Sequence, residues 1–132
     1  MALYGLVGIG GFGRTVMPIL RENFDNKNAS NQFVFVDNNL PKDLITDSTA
    51  MLELDFLEKN VQEKFFNVAI ADSKIRKKVV EKYLSNGCKP ASIISKNSLI
   101  LDRNSIGDGA ILCGFTHLPS DTKIGNYFHC NI

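Results

Sequence analysis

The chain has 132 residues, 44% of them hydrophobic and 22% charged, a composition that fits one globular domain or a small domain plus part of another. The net charge of +1 gives no sign of a polyanionic partner, so we expect no nucleic-acid binding. Three cysteines without a CxxC pair support neither a disulfide framework nor a metal site. We find no signal-peptide pattern and no apolar stretch long enough to cross a bilayer, so the cytoplasm is the expected location.

Strand-like and helix-like segments alternate up to residue 94. An apolar run over 3–9 predicts the first buried strand, and the helix after it carries Val16 and Leu20 on one face and Pro18 in its interior. Further strands are predicted at 32–37, 65–71 and 92–94, a loop at 38–48 and a short strand around 51–54. Helices are predicted at 55–64 and from a cap at Asp72 or Ser73 to an end at Asn86-Gly87. This alternation predicts an α/β fold with a parallel, doubly wound sheet.

From Ile94 onward the periodicity of the sequence changes to six residues. The aliphatic positions of this repeat are Ile94, Ile100, Ile106, Leu112, Leu118 and Ile124, and Cys130 continues the series. Mostly small residues follow four positions later, at Ser98, Asn104, Ala110, Thr116, Thr122 and Phe128. This repeat is typical of a parallel β-helix with triangular coils. We therefore divide the chain into an α/β domain over 1–93 and the first coils of a β-helix over 94–132. Because the sequence stops inside a repeat without a terminal cap, we expect a fragment of a longer protein.

The glycine-rich turn at 8–13 is the most informative local motif. It reads GIGGFG, which matches G-x-G-x-x-G, and lies between a predicted strand and a predicted helix. Such a turn lets a phosphate approach the backbone, and the helix N-terminus offers it free N–H groups. Asp37 ends the next strand, at about the interval expected for a carboxylate that binds a ribose hydroxyl. The candidate binding residues here are Gly8, Gly10, Gly11, Gly13, Arg14 and Asp37. A tight turn without a ligand is the alternative interpretation.

Asp72 and Ser73 begin the helix that follows the strand predicted at 65–71. They fall at the carboxyl edge of the sheet, where α/β proteins bind their ligands, and are therefore further binding candidates. Plain capping of the helix is the competing interpretation for both residues.

The combination of a small Rossmann-like domain with hexapeptide repeats resembles the bacterial sugar O- and N-acyltransferases of the sialic acid O-acetyltransferase type. The bacillosamine-pathway acetyltransferase, which acts on a UDP-linked amino sugar, belongs to this group. The glycine turn fits that family, residues 65–78 (FFNVAIADSKIRKK) look like its "aIGdnkiRkk" segment, and 99–132 are similar to its opening hexads. Gly10, Phe12 and Ala71 stand where the family more often has serine, histidine and glycine, changes that leave the phosphate-binding turn intact.

This resemblance implies a nucleotide-linked sugar as ligand, with a UDP-linked amino sugar as the first expectation. The diphosphate would lie near 8–13 and the nucleoside near Asp37 and Asn38, with Ala71 at the same edge. The resemblance also implies a left-handed β-helix that forms a homotrimer, acetyl-CoA as co-substrate, and a catalytic histidine just beyond Ile132. His129 falls one repeat too early for that base. We therefore predict no catalytic residue in this chain, which would be the inactive, substrate-binding portion of a sugar acyltransferase.

Two other functions fit parts of the sequence. The glycine turn and Asp37 would serve a nicotinamide-dependent oxidoreductase equally well, although a dehydrogenase does not need hexads. The chain could also be a non-catalytic binding or assembly module whose α/β domain is a scaffold. Binding of NADH alone would favour the first alternative, and absence of any nucleotide ligand the second.

Overall fold

The computed structural model describes residues 1–25, 30–40 and 49–131. In chain order, its larger elements are β1 (Ala2–Val7), α1 (Gly11–Phe24), β2 (Gln32–Val36), β3 (Ala50–Met51), α2 (Glu53–Glu58), β4 (Glu63–Val68), α3 (Ser73–Ser85) and β5 (Lys89–Pro90). Two-residue strands follow: β6 (Ile93–Ile94), β7 (Leu99–Ile100), β8 (Ser105–Ile106), β9 (Ile111–Leu112), β10 (His117–Leu118), β11 (Lys123–Ile124) and β12 (His129–Cys130). Most of the loop predicted over 38–48 lies outside the described residues.

The larger strands form a five-stranded parallel sheet in the order β3-β2-β1-β4-β5. All six residues of the central strand β1 are buried, as expected when both faces of a parallel sheet are covered. On one face α1 packs with Met17 and Leu20, and on the other α2 and α3 pack with Phe56 and Tyr83. The Rossmann-like class predicted from the alternating pattern is therefore confirmed, and Pro18 lies inside α1 as predicted.

Several predicted segments differ in the structure. The strands predicted around 51–54 and at 65–71 are β3 and β4, which already end at Met51 and Val68, and two further segments change more. The helix predicted over 55–64 is the shorter α2, because Glu63 and Lys64 extend β4 by pairing with the start of β1. The strand predicted over 92–94 does not join the sheet, whose edge strand is β5; instead Ile93–Ile94 pairs with β9. The strand that we had assigned to the α/β domain thus belongs to the β-helix. The domain boundary between residues 93 and 94 stays a prediction.

The β-helix has a coil length of 18 residues, set by three hexads. Its strands stack in register as Ile94↔Leu112, Ile100↔Leu118, Ile106↔Ile124 and Cys130↔Leu112, and these side chains form one interior cluster. At the corners, the side chains of Ser98, Asn104, Thr116 and Thr122 donate to the carbonyl three residues earlier. The aliphatic residues therefore fill the coils, and the small polar residues close the turns.

Two asparagines fix the β-helix to the α/β domain. Asn67 is buried in β4, and its Nδ2 donates to the carbonyls of Ala91 at 2.6 Å and of Gly109 at 3.1 Å. Asn23 of α1 exchanges two hydrogen bonds of 2.8 Å with the backbone of Ile94. These contacts hold the first coils against the sheet and bring β12 beside α1 and α3.

Candidate functional site

The glycine turn joins β1 to α1 by a close backbone approach. Gly8 has a φ of +109°, and a Cβ atom there would lie 2.8 Å from the carbonyl oxygen of Ala69. A Cβ atom on Gly13 would lie 2.0 Å from the carbonyl oxygen of Gly8, so α1 can cross the turn only without a side chain at that position. A Cβ atom on Gly10 or Gly11 would meet nothing within 4 Å. The space over these two residues is open, which is the form a phosphate cradle takes.

The N-terminus of α1 faces this open space without a protein cap. Gly10 is the N-cap residue and has no side chain that could cap the helix, and the first turn of α1 contains no acidic residue. The first N–H groups of a helix lack intrahelical partners and carry a partial positive charge. The turn can therefore bind an anion through backbone N–H groups.

Asp37 ties the end of β2 to the glycine turn. Its Oδ2 accepts a hydrogen bond from the Ile9 N–H at 3.2 Å, and its Oδ1 accepts one from the Asn39 N–H at 3.1 Å. A carboxylate offers about four lone-pair sites, so both oxygens keep capacity for a ligand hydroxyl. Asp37 thus shapes the turn and remains able to bind a ribose.

A first cleft of about 450 Å³ opens between the glycine turn, the end of β2 and the start of α2. Its lining includes the predicted residues Gly8, Gly10, Asp37 and Asn38, together with Glu53, which the sequence analysis missed. The charged residues among the described lining are both acidic. Beside these two carboxylates the cleft favours a neutral group rich in hydrogen-bond donors, such as a nucleoside, and a phosphate is favoured only at the glycine turn, away from them.

Glu53 is held in place by α3. The Tyr83 hydroxyl donates to its Oε2 at 3.1 Å, and the Lys82 ammonium forms an ion pair with its Oε1. Tyr83 is fully buried, and its burial and the charge of Glu53 raise the pKa of its hydroxyl far above its ordinary value. The phenol therefore stays a donor, and the carboxylate has a fixed orientation.

A second cleft of about 320 Å³ lies between α1, α3 and the β-helix, lined by Phe12, Ala71, Arg76, His129 and Asn131. Arg76 Nη1 donates to the carbonyls of Ile70 at 2.9 Å and Ala71 at 3.2 Å, and lies 3.4 Å from His129 Nδ1. Because a guanidinium can only donate, His129 Nδ1 must accept, which places the proton of the neutral ring on Nε2. The pKa of His129 is lowered to about 4, mainly by burial and to a smaller extent by the Arg76 charge.

A third cleft of about 370 Å³ separates α3 from a β-helix turn and is lined by Ser73, Arg76, Lys77, Val80, Glu81, Asn126 and Tyr127. The predicted residues are divided among these clefts only in part. The first cleft is lined by Gly8, Gly10, Asp37 and Asn38, the second by Ala71 and the third by Ser73, whereas Gly11, Gly13 and Asp72 line none of the three. Asp72 acts as the helix cap: its Oδ1 accepts from the N–H groups of Lys74 at 2.9 Å and Ile75 at 3.0 Å. Arg14 is exposed and lines none of these clefts.

Arg76 and His129 are residues that sequence reasoning undervalued. The only signal for Arg76 in the sequence was the match of residues 65–78 to the "iRkk" segment. Within the described part of the chain, no group of three or more His, Cys, Asp or Glu residues could hold a metal ion. None of the described helices has the length and apolarity needed to span a membrane.

Comparison with known proteins gives the family. Residues 5–83 match the model of the PglD N-terminal domain. The chain belongs to the PglD N-terminal domain family. The GDP-perosamine N-acetyltransferase of Escherichia coli O157:H7 is 38% identical over 133 aligned positions, covering 100% of this chain and 60% of that protein.

Solved structures agree with this family and extend the likeness to the β-helix. WeeI from Acinetobacter baumannii AYE has 36% identity and a TM-score of 0.88, over 100% of this chain and 62% of that one. PerB from Caulobacter crescentus, solved in complex with CoA and GDP-perosamine, has 19% identity and a TM-score of 0.76, over 97% of this chain and 59% of its own. At that identity the PerB likeness shows the fold alone. The likeness to these structures therefore covers the β-helix coils of this chain as well as its PglD N-terminal domain.

Proposed function

We propose that this chain is the nucleotide-sugar-binding part of an acetyl-CoA-dependent sugar N-acetyltransferase. The observation that carries the proposal is the open, uncapped glycine turn beside a nucleoside-sized cleft that contains Asp37. The 38% identical relative, a GDP-perosamine N-acetyltransferase, supports the same class of substrate. Because the chain spans 60% of that relative, the activity of the whole protein is part of the proposal.

The positions of the clefts suggest how the nucleotide sugar is oriented in the site. The nucleoside occupies the first cleft, where its ribose hydroxyls donate hydrogen bonds to Asp37 and the rest of the nucleoside lies near Asn38. The diphosphate lies over Gly10 and Gly11, where the N–H groups of α1 stabilise its charge. Gly8 and Gly13 provide the close packing that forms this turn, and Arg14 stays a candidate for balancing the phosphate charge.

The sugar then extends toward the second cleft and the β-helix, past Ala71, Asp72 and Ser73. In the proposed reaction the sugar amine attacks the thioester carbonyl of acetyl-CoA, a base takes the amine proton, and the CoA thiol leaves. We do not assign the base to His129. Its Nδ1 already accepts from the Arg76 guanidinium, and its Nε2 is buried and carries the ring proton, so neither nitrogen is placed to take a proton from a bound amine. A homotrimer that binds acetyl-CoA through the β-helix, and a cytoplasmic location, complete the proposal.

The test is calorimetric titration of the chain with GDP-perosamine, a UDP-linked amino sugar and NADH. We expect saturable binding of a nucleotide sugar, weakened at least about 10-fold in Asp37→Asn because a hydrogen bond to a charged acceptor contributes about 1.5–3 kcal/mol. Asp25→Asn, at the exposed end of α1, serves as the matched control and should bind like the parent chain. Binding of NADH alone, or of none of the three ligands, would reject the proposal.

A further inference from the structure

The first cleft contains a second carboxylate whose position the proposed ribose contact does not explain. Glu53 follows the short strand β3 and lines the cleft together with the end of β2. We infer that Glu53 recognises the base of the bound nucleotide and selects guanine over uracil. This inference rests on the proposed function, since it requires a nucleotide in the first cleft.

The chemistry of the two bases distinguishes them at an ionised carboxylate. Guanine presents the N1–H and the exocyclic N2 amino group side by side, and these two donors match the two oxygens of a carboxylate. Uracil presents a single N3–H between two carbonyl oxygens, which repel a group that can only accept hydrogen bonds. A site built to bind a pair of donors discriminates strongly against a ligand that lacks one of them.

The contacts around Glu53 fix its carboxylate before a ligand arrives. The Tyr83 hydroxyl holds Oε2 at 3.1 Å, and Lys82 pairs with Oε1 from the outer surface, where its own side chain is 55% exposed. Tyr83 is itself buried against the rings of Phe56 and Phe66. Each carboxylate oxygen accepts about two hydrogen bonds, so one position on each remains for the base.

The alternative is that Glu53 only ties α2 to α3. In that case its replacement would change stability and weaken every nucleotide by the same factor. Selection of the base predicts a different result, namely a change in the ratio of two dissociation constants. That ratio is insensitive to a loss of folded protein, since both ligands are titrated into the same sample.

The experiment is calorimetric titration of the chain with GDP, inosine diphosphate and UDP. We expect GDP to bind at least about 10-fold more tightly than UDP, because a hydrogen bond to a charged group is worth a factor of this size. Inosine diphosphate lacks the N2 amino group, and its affinity should fall between the two. The variant Glu53→Gln offers one acceptor and one donor, which suits uracil, so the GDP-to-UDP preference should shrink at least about 10-fold.

Two further variants complete the design. Glu58→Gln, on the exposed end of α2, removes the same charge from the same helix and should leave the preference unchanged. Tyr83→Phe keeps the packing but releases Glu53 Oε2, and should reduce the preference by less than Glu53→Gln does. Should Glu53→Gln fail to fold, the GDP and inosine diphosphate affinities of the parent chain and of Tyr83→Phe decide together, since Tyr83 contacts Glu53 and no other described carboxylate of the cleft is hydrogen-bonded to it.

Each outcome has one meaning. Equal binding of GDP and inosine diphosphate, UDP binding as tight as GDP, or an unchanged preference in a folded Glu53→Gln overturns the role of Glu53 and leaves nucleotide binding intact. No binding of any of the three nucleotides to the parent chain overturns the proposed function, and this inference with it.

Discussion

The asparagine that joins the sheet to the β-helix gives the sharpest stability prediction. Asn67 is 1% exposed, and its side-chain amide makes three hydrogen bonds: to the carbonyls of Ala91 and Gly109, and from the N–H of Val68 at 2.7 Å. Asn67→Ala removes all three. It also leaves polar backbone groups in a site that water does not reach, and their desolvation is no longer compensated.

The expected cost follows from these contacts. At a net value of about 1 kcal/mol for each hydrogen bond, Asn67→Ala should lower the free energy of unfolding by about 3 kcal/mol. With a urea dependence of about 2 kcal/mol per molar, the unfolding midpoint should fall by about 1.5 M. The assay is urea unfolding followed by circular dichroism. Asn60→Ala, on the exposed segment after α2, is the matched control and should stay within about 0.5 kcal/mol of the parent chain.

A loss below about 1 kcal/mol in Asn67→Ala would refute this reasoning, because it would mean that the joint between the two parts contributes no more than an average surface contact. A loss of similar size in Asn60→Ala would also refute it, since the effect would then not depend on the buried amide.

Three further predictions concern the site. Gly13→Ala should lower the free energy of unfolding by about 1–3 kcal/mol, because its Cβ would meet a backbone carbonyl. Gly11→Ala should leave stability unchanged but weaken GDP binding in calorimetry, and equal losses of stability in the two variants would contradict the open space over Gly11. Asp72→Ala should cost about 1 kcal/mol of unfolding free energy with GDP affinity unchanged, and a loss of affinity alone would instead make Asp72 a ligand contact. The pKa of His129 is lowered to about 4 by burial and by Arg76, so its contribution to stability is complete above about pH 6.5 and is lost as the pH falls toward about 4. Over that interval, urea unfolding should show the parent chain losing on the order of 1–2 kcal/mol more than His129→Gln, after a discount for the partly exposed ring, and parallel curves would contradict it.

The β-helix was largely predictable because its periodicity is local. A six-residue repeat identifies the interior positions without knowledge of any partner, and the interior cluster matches the predicted aliphatic series from Ile94 to Cys130. The glycine turn was predictable for the same reason, since its strand, turn and helix are adjacent in sequence. What failed depended on distant pairing: Glu63 becomes a strand residue through β1, and the strand correctly predicted at Ile93 pairs with β9 and not with the larger sheet.

The site residues follow the same division. Gly8 and Asp37 carry a motif with a recognisable spacing, and both line the first cleft. Glu53 had no such signal, because its carboxylate is held by Lys82 and Tyr83, which lie 29 and 30 residues further along the chain. His129 acquires its unusual environment only where β12 meets Arg76, a contact between residues 53 positions apart.

The central claim is that the glycine turn and the Asp37 cleft hold a nucleotide. The most direct measurement is titration of the ¹⁵N-labelled chain with GDP, followed through assigned backbone amide resonances. The account predicts saturable shifts concentrated at residues 8–13, at 37–39 and at Glu53. Saturable shifts confined to the third cleft, around Ser73 and Tyr127, or the absence of any saturable shift, would contradict it.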